Sequence, residues 1–171
     1  MERPRAAMSS RDDLDELYVG SYRRLVVQMF AICGDMSDAE DAVQEAFVTA
    51  IRKRRLLAQV DNLEAWVRTV ALRRLHRGWR HSAVVRRYAA AVPGPQTPVE
   101  IGPEHVALVA ALAQLDPDQR RVVVLHHLAD LPTAEIAAEL GIPQGTVKSR
   151  LARARTRLAG LLTDSEEPRH V

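Results

Sequence analysis

A chain of 171 residues with 47% hydrophobic composition has material for one ordinary domain or two small ones. Its formal net charge of +2 excludes bulk electrostatic attraction to a polyanion, so any such affinity has to come from local patches. A single cysteine, Cys33, excludes an intramolecular disulfide and a thiolate metal cluster, and no apolar run reaches the length of a membrane span.

The opening residues, MERPRAAMSS, carry charge and lack the apolar core of a secretory signal. A disordered start over residues 1–10 is expected, on a soluble, cytoplasmic protein. Glycines and aromatics are scarce, and no stretch alternates apolar and polar residues for long. Helical periods dominate instead, so the expected fold is all-α, in two small helical domains.

The first helix is predicted from about Leu14 to Cys33. Leu14, Leu17, Tyr18, Tyr22, Leu25, Val26 and Met29 form its buried stripe, and Gly34 suits its end. In the segment SDAEDAVQEAF, Ser37 and Glu40 have capping-box spacing. Ala42, Val43, Ala46, Phe47, Ala50 and Ile51 line one face of this second helix, which closes on Arg52-Lys53-Arg54-Arg55. A basic run there matches the helix dipole and reads as a solvated end.

A third helix opens at DNLEAW, where Asp61 and Glu64 repeat the capping pattern, and Leu63, Trp66, Val67 and Val70 make its core stripe. Thr69, Arg73, His76, Arg77 and Arg80 then recur at helical spacing as a basic stripe. The segment AAAVPGPQTPVEIGP cannot be a continuous helix and reads as an interdomain linker.

Beyond it, Glu104 to Leu115 is helical and apolar. DPDQ restarts a helix, with Asp116 as N-cap, Pro117 at the first position and Gln119 as capping partner. TAEIAAEL is the next helix and Gly141 closes it. Two short helices joined at Gly141-Ile142-Pro143 are the pattern of a helix-turn-helix. Ala137 is small where the helices cross, and Ile136, Leu140, Val147 and Leu151 supply a shared core.

The second of these helices, GTVKSRLARARTRL, carries five positive charges and no negative one. Val147, Leu151, Ala154 and Leu158 give it one dry face. At 100° per residue, Thr146, Ser149, Ala152, Arg153 and Thr156 point outward, flanked by Lys148, Arg150, Arg155 and Arg157. A recognition helix needs this layout: outward groups reach base edges and flanking cations reach phosphates. Gln144 stands at the helix start, where base-reading residues are common. An ordinary solvated helix would mix its signs.

His126-His127 does not read as a metal site, because adjacent helical residues diverge by about 100° and no third ligand is evident. No catalytic spacing and no phosphate-cradling glycine loop is present, so neither an enzyme nor a cofactor is indicated.

GDMSDAEDAVQEAFVTA resembles region two of bacterial sigma factors, and EIAAELGIPQGTVKSRLARARTRL resembles region four. The order of the two, with a linker and no third domain between them, is similar to the extracytoplasmic-function sigma factors. The resemblance covers residues 14 to 162. It implies a promoter-specificity subunit that binds core RNA polymerase and promoter DNA without catalysis of its own. An anti-sigma protein is a further candidate partner, and no membrane insertion is implied.

The resemblance divides the chain into region two over 11–82, a linker over 83–103, region four over 104–162 and an acidic tail over 163–171. It assigns Asp41, Gln44 and Glu45 to the polymerase clamp. It assigns Trp66, Arg73, His76, Arg77 and Arg80 to the minus-ten strand. Gln144, Thr146, Lys148, Ser149, Arg150, Arg153, Arg155 and Arg157 go to the minus-thirty-five duplex.

Three positions depart from the family pattern. Arg73 stands where Asn is usual, so it can hold a phosphate but reads a base differently. Pro132 replaces a capping Ser, and Asp116 a common Pro. Two other functions compete with the leading one. A stand-alone helix-turn-helix regulator would not need DAEDAVQEAF, and a sigma mimic that titrates an anti-sigma protein would not need the cations of the last helix.

Overall fold

The computed structural model describes residues 11–85 and 102–166, with side chains for 14–77, 102 and 105–161. Seven helices and no strand occur among them. They group into two compact units, one of residues 11–29 and 35–85, the other of 30–34 and 102–166.

In the first unit, α1 (Arg11–Cys33) as far as Met29, α2 (Met36–Leu57) and α3 (Leu63–Val85) share one core, and the last turn of α1 belongs to the other unit. Gly34 ends α1 at φ +76 and its N–H donates to the Phe30 carbonyl at 2.7 Å. Glycine adopts that left-handed conformation without a Cβ penalty. The next residue, Asp35, is extended and accepts a bond from the Asp38 N–H at 2.9 Å, so α2 is capped by Asp35 and not by Ser37. At α3 the cap moves the other way, by one residue: Asn62, not Asp61, accepts from the Ala65 N–H at 2.9 Å.

The α2 face of Ala39, Ala42, Val43, Ala46, Phe47 and Ala50 is buried, and its alanines let the α3 backbone approach closely. Ile51, assigned to that face, is 54% exposed. From α1, Leu25, Val26 and Met29 are fully buried. Tyr18 lies at the margin instead, its ring edge-on to Phe47 at a centroid distance of 5.0 Å. Such edge-to-face contacts suit the ring quadrupoles. A two-pronged pair, Arg24 to Glu64 at 3.2 and 2.6 Å, ties α1 to α3. Helix α3 runs on to Val85, past the boundary expected at residue 82.

The second unit holds α4 (Pro103–Leu112), α5 (Pro117–His127), α6 (Thr133–Leu140) and α7 (Gln144–Glu166). Helix α4 ends three residues short of Leu115, and α7 extends four past Leu162 into the span read as a tail. The disordered start, most of the expected linker and residues 167–171 lie outside the described residues.

Asp116 caps α5 by accepting from the Asp118 N–H at 2.9 Å, with Pro117 at the first helical position. Pro132 precedes α6 and supplies no side-chain cap bond. Leu112, Val122, Val124, Leu125, Ile136, Val147, Leu151 and Ala154 form the core. Leu140 is only half-buried.

Gly141 closes α6 at φ +65, and the Ile142 N–H returns to the Ala137 carbonyl at 3.1 Å. A Cβ at Gly141 would meet nothing within 4 Å. The expected cost of Gly141→Ala is therefore the backbone penalty alone, about 1–2 kcal/mol. Urea unfolding of the variant beside the parent protein measures it. A difference near zero would mean that the turn is not held left-handed.

Candidate nucleic-acid interface

The turn at Gly141 directs α7 across α6 so that Val147, Leu151 and Ala154 point inward and are buried. The opposite side of α7 faces solvent. Ser149, Ala152, Arg153 and Thr156 are exposed there, and Thr146 is half-buried at the leading edge. Arg153, Thr156, Arg157 and Gly160 line a shallow concavity on this side.

The small polar groups are already oriented. The Ser149 hydroxyl donates to the Thr146 carbonyl at 3.0 Å, and the Thr156 hydroxyl donates to the Ala152 carbonyl at 3.2 Å. Each hydroxyl hydrogen is thus spent on the helix, while the oxygen lone pairs remain as acceptors toward solvent. Donation to a base edge or phosphate from this face falls to its cations. Gln144 sits at the first position of α7, where its Nε2 donates to the Thr133 hydroxyl at 2.8 Å and is steered toward the start of α6.

The cations divide into two groups. Lys148, Arg153, Arg155 and Arg157 are exposed. Arg150 is not: its side chain is 25% exposed, and its Nη2 donates to Asp118 Oδ2 on α5 at 2.5 Å. Arg150 differs in this from the other four cations of the helix.

His127, near Arg155, carries an imidazole held below the usual histidine range by desolvation, then by His126 and Arg155. These influences favour the neutral form of the ring. The His126 ring nitrogen Nδ1 is bonded to the Leu131 carbonyl at 2.9 Å, a structural role. Among the described residues no group of three or more His, Cys, Asp or Glu is arranged to hold a metal ion.

The basic stripe of the first unit lies along α3. Arg73, His76 and Arg77 are exposed, and Trp66, one turn into the helix, is half-buried. Thr69 is half-buried and its hydroxyl donates to the Ala65 carbonyl at 2.8 Å. Arg80 belongs to α3, but its side chain lies outside the described residues.

On α2, Asp41 and Glu45 are exposed one turn apart. Gln44 turns toward α1, where its Nε2 donates to the Tyr22 hydroxyl at 3.3 Å. Burial holds that phenol above its ordinary range, with Gln44 acting in the opposite sense. Glu45 pairs with Arg74 of α3 at 2.6 Å, both side chains about half exposed. The α2 and α3 sets are thus joined through Arg74.

Sequence reasoning read Tyr22 only as part of the buried stripe of α1 and did not single out Arg74, Thr133 or Asp118. Each earns its place by meeting a residue distant in the chain, and no local periodicity signals that.

Two family descriptions match the chain: Sigma-70 region 2 over residues 17–84, and Sigma-70, region 4 over residues 105–158. The ECF RNA polymerase sigma factor SigL of Mycobacterium tuberculosis is 36% identical over 128 residues, 70% of this chain and 72% of that protein. SigM, an ECF RNA polymerase sigma factor of the same species, is 32% identical over 152 residues, 86% of this chain and 76% of its own. Among solved structures, the sigma factor RpoE of Bartonella quintana, crystallised with the anti-sigma factor NepR, superposes with a TM-score of 0.71 at 25% identity. That match covers 89% of this chain and 98% of RpoE.

The all-α architecture and the order of the two sigma regions agree with these relatives. No described helix is long and apolar enough to cross a membrane. The chain belongs to the extracytoplasmic-function RNA polymerase sigma factors of the sigma-70 family, the subunits that direct promoter-specific transcription initiation.

Proposed function

We propose that α7 reads the minus-thirty-five element as duplex while α3 holds the melted strand of the minus-ten element. The observation that carries this reading is the exposed α7 face. It offers two oriented hydroxyl acceptors and Arg153 between flanking cations, with the apolar seam turned away. In a major groove, Arg153 can pair bidentately with guanine, Ser149 and Thr146 allow close approach, and Gln144 stands at the groove-entering end. Lys148, Arg155 and Arg157 neutralise phosphates on either side.

On α3, Arg73, His76, Arg77 and Arg80 form the electrostatic track for a single strand, with Trp66 at its head for stacking. Arg73 serves there as a phosphate contact. Asp41, Gln44 and Glu45 dock on the clamp of core polymerase. The functional divisions are residues 11–82 and 104–162, with 83–103 as the link between them.

The protein contributes recognition and melting and no catalysis of its own. It acts where polymerase and genome are, in the cytoplasm. RpoE binds an anti-sigma factor, and a partner of that class is proposed for this chain too.

The deciding experiment is run-off transcription from a genomic promoter pool, using purified core polymerase with and without the protein. New, sequence-specific transcripts are expected, and their aligned start regions give both elements. Retained duplex binding without transcripts would favour a stand-alone regulator. Absence of both would favour a mimic that titrates an anti-sigma protein.

The docking set has its own test. Gln44→Ala combined with Glu45→Ala is expected to weaken binding to core polymerase by about tenfold with helix content unchanged. Equal affinity, measured by fluorescence titration of labelled protein, would remove these residues from the docking surface.

A further inference from the structure

The cations of α7 differ in one respect that bears on how the helix reads DNA. Lys148, Arg153, Arg155 and Arg157 are exposed, whereas Arg150 is bonded to Asp118 at 2.5 Å across the packed faces of α5 and α7. Arg150 stands roughly 70° from the middle of the buried seam of Val147, Leu151, Ala154 and Leu158, closer to the core than the outward arc. Asp118 is poised to receive it. It sits in the first turn of α5, where the helix dipole favours a carboxylate, and Arg121 one turn on approaches its other oxygen at 3.8 Å.

We infer that Arg150 is a positioning residue and not a phosphate contact: its bond to Asp118 sets the rotation of α7 about its own axis and thereby aims Ser149, Arg153 and Thr156. The apolar seam holds that rotation through non-directional burial. A directional, charge-assisted bond beside the seam adds an angular restraint. A reading constellation has to be held within about 10–20° to be productive. Arg150 and Ser149 are neighbours and Arg153 follows one turn on, so an anchor at Arg150 acts on the readers directly.

The two roles predict opposite signs for one substitution. Were Arg150 a phosphate contact restrained by Asp118, Asp118→Asn would free a cation, remove an acid and tighten binding on every sequence. As a positioning residue, it would lose its anchor, and selectivity would fall while binding to unrelated DNA held or rose.

The inference rests on α7 being the reader of the upstream element, and the experiment separates the two. Full-length protein is assembled with core polymerase and presented with a promoter library randomised in the upstream element. Transcript sequencing gives selectivity, and a potassium chloride titration gives the salt slope. Thermal unfolding sets a temperature at which every variant is folded.

Asp118→Asn and Arg150→Gln are each expected to lower selectivity about tenfold with the salt slope unchanged. The double exchange Asp118→Arg with Arg150→Asp is expected to restore it. Lys148→Gln, the comparison for a phosphate contact, is expected to lower the slope by about one with selectivity kept.

Tighter binding on all sequences from Asp118→Asn, or a slope lowered by about one in Arg150→Gln, would overturn the inference and return Arg150 to the phosphate set. An exchange that restores the unfolding temperature but not selectivity would also overturn it, leaving the pair a stabilising contact only. A parent protein with no upstream preference would remove the reading of α7 itself, and the inference with it.

Discussion

Leu151→Ala is expected to cost the second unit about 2–5 kcal/mol. Leu151 is 2% exposed, one turn beyond the fully buried Val147, in the seam where α7 packs on α5 and α6. Removing its branched end deletes buried apolar surface and leaves a cavity. The core of this unit includes the Cβ-branched Val122, Val124, Ile136 and Val147, which have little rotamer freedom with which to collapse into it. A small helical unit has only several kcal/mol to lose, so the variant should unfold at markedly lower urea concentration, read by circular dichroism. Duplex binding should fall in proportion to the folded fraction. A loss below about 1 kcal/mol would mean that the seam is not the core of this unit.

Arg153→Ala is expected to weaken binding to the cognate upstream element by about 1–3 kcal/mol, with relaxed preference at one base pair. The side chain is exposed on the outward face, next in the chain to the small Ala152 and three residues before the helix-bonded Thr156. Nothing in the fold depends on it, so thermal stability should be unchanged. The loss should be steep on the cognate element and slight on unrelated DNA. Competition binding against a panel of single-base variants distinguishes the outcomes. An equal loss on every sequence, with a lower salt slope, would make Arg153 a phosphate contact and move the base-reading role to its neighbours.

These two substitutions separate the inward face of α7 from its outward face, and the division between the faces was legible in the sequence. Val147, Leu151 and Ala154 recur at helical spacing, and Gly141 precedes them where a left-handed residue was needed. The structure buries the first three and gives Gly141 a φ of +65. The α2 stripe from Ala42 to Ala50 was legible for the same reason. The stripe ran one residue too far at Ile51, because periodicity does not say where a neighbouring helix stops covering the face.

The helix starts were less well determined. Asp35 and Ser37, or Asp61 and Asn62, are all capable acceptors within two residues of each other. Which of them caps depends on which leaves helical φ and ψ, and at Asp35 the tight turn after Gly34 decides it. Trp66 and Val70 were read as core but are only half-buried, since a stripe has margins that a period cannot draw.

By itself the sequence determined the helical class, the position of the helix-turn-helix, the polarity of α7 and the family. All of these are local: they follow from the 3.6-residue period, from glycine at one turn and from runs of one residue type. Only the tertiary structure decided that Arg150 meets Asp118 across 32 residues and that Glu45 meets Arg74. It also decided that Gln44 turns to Tyr22. A side chain's period tells which way it leaves its own helix. What waits there is decided by where two helices cross, and that crossing is set by the whole core at once.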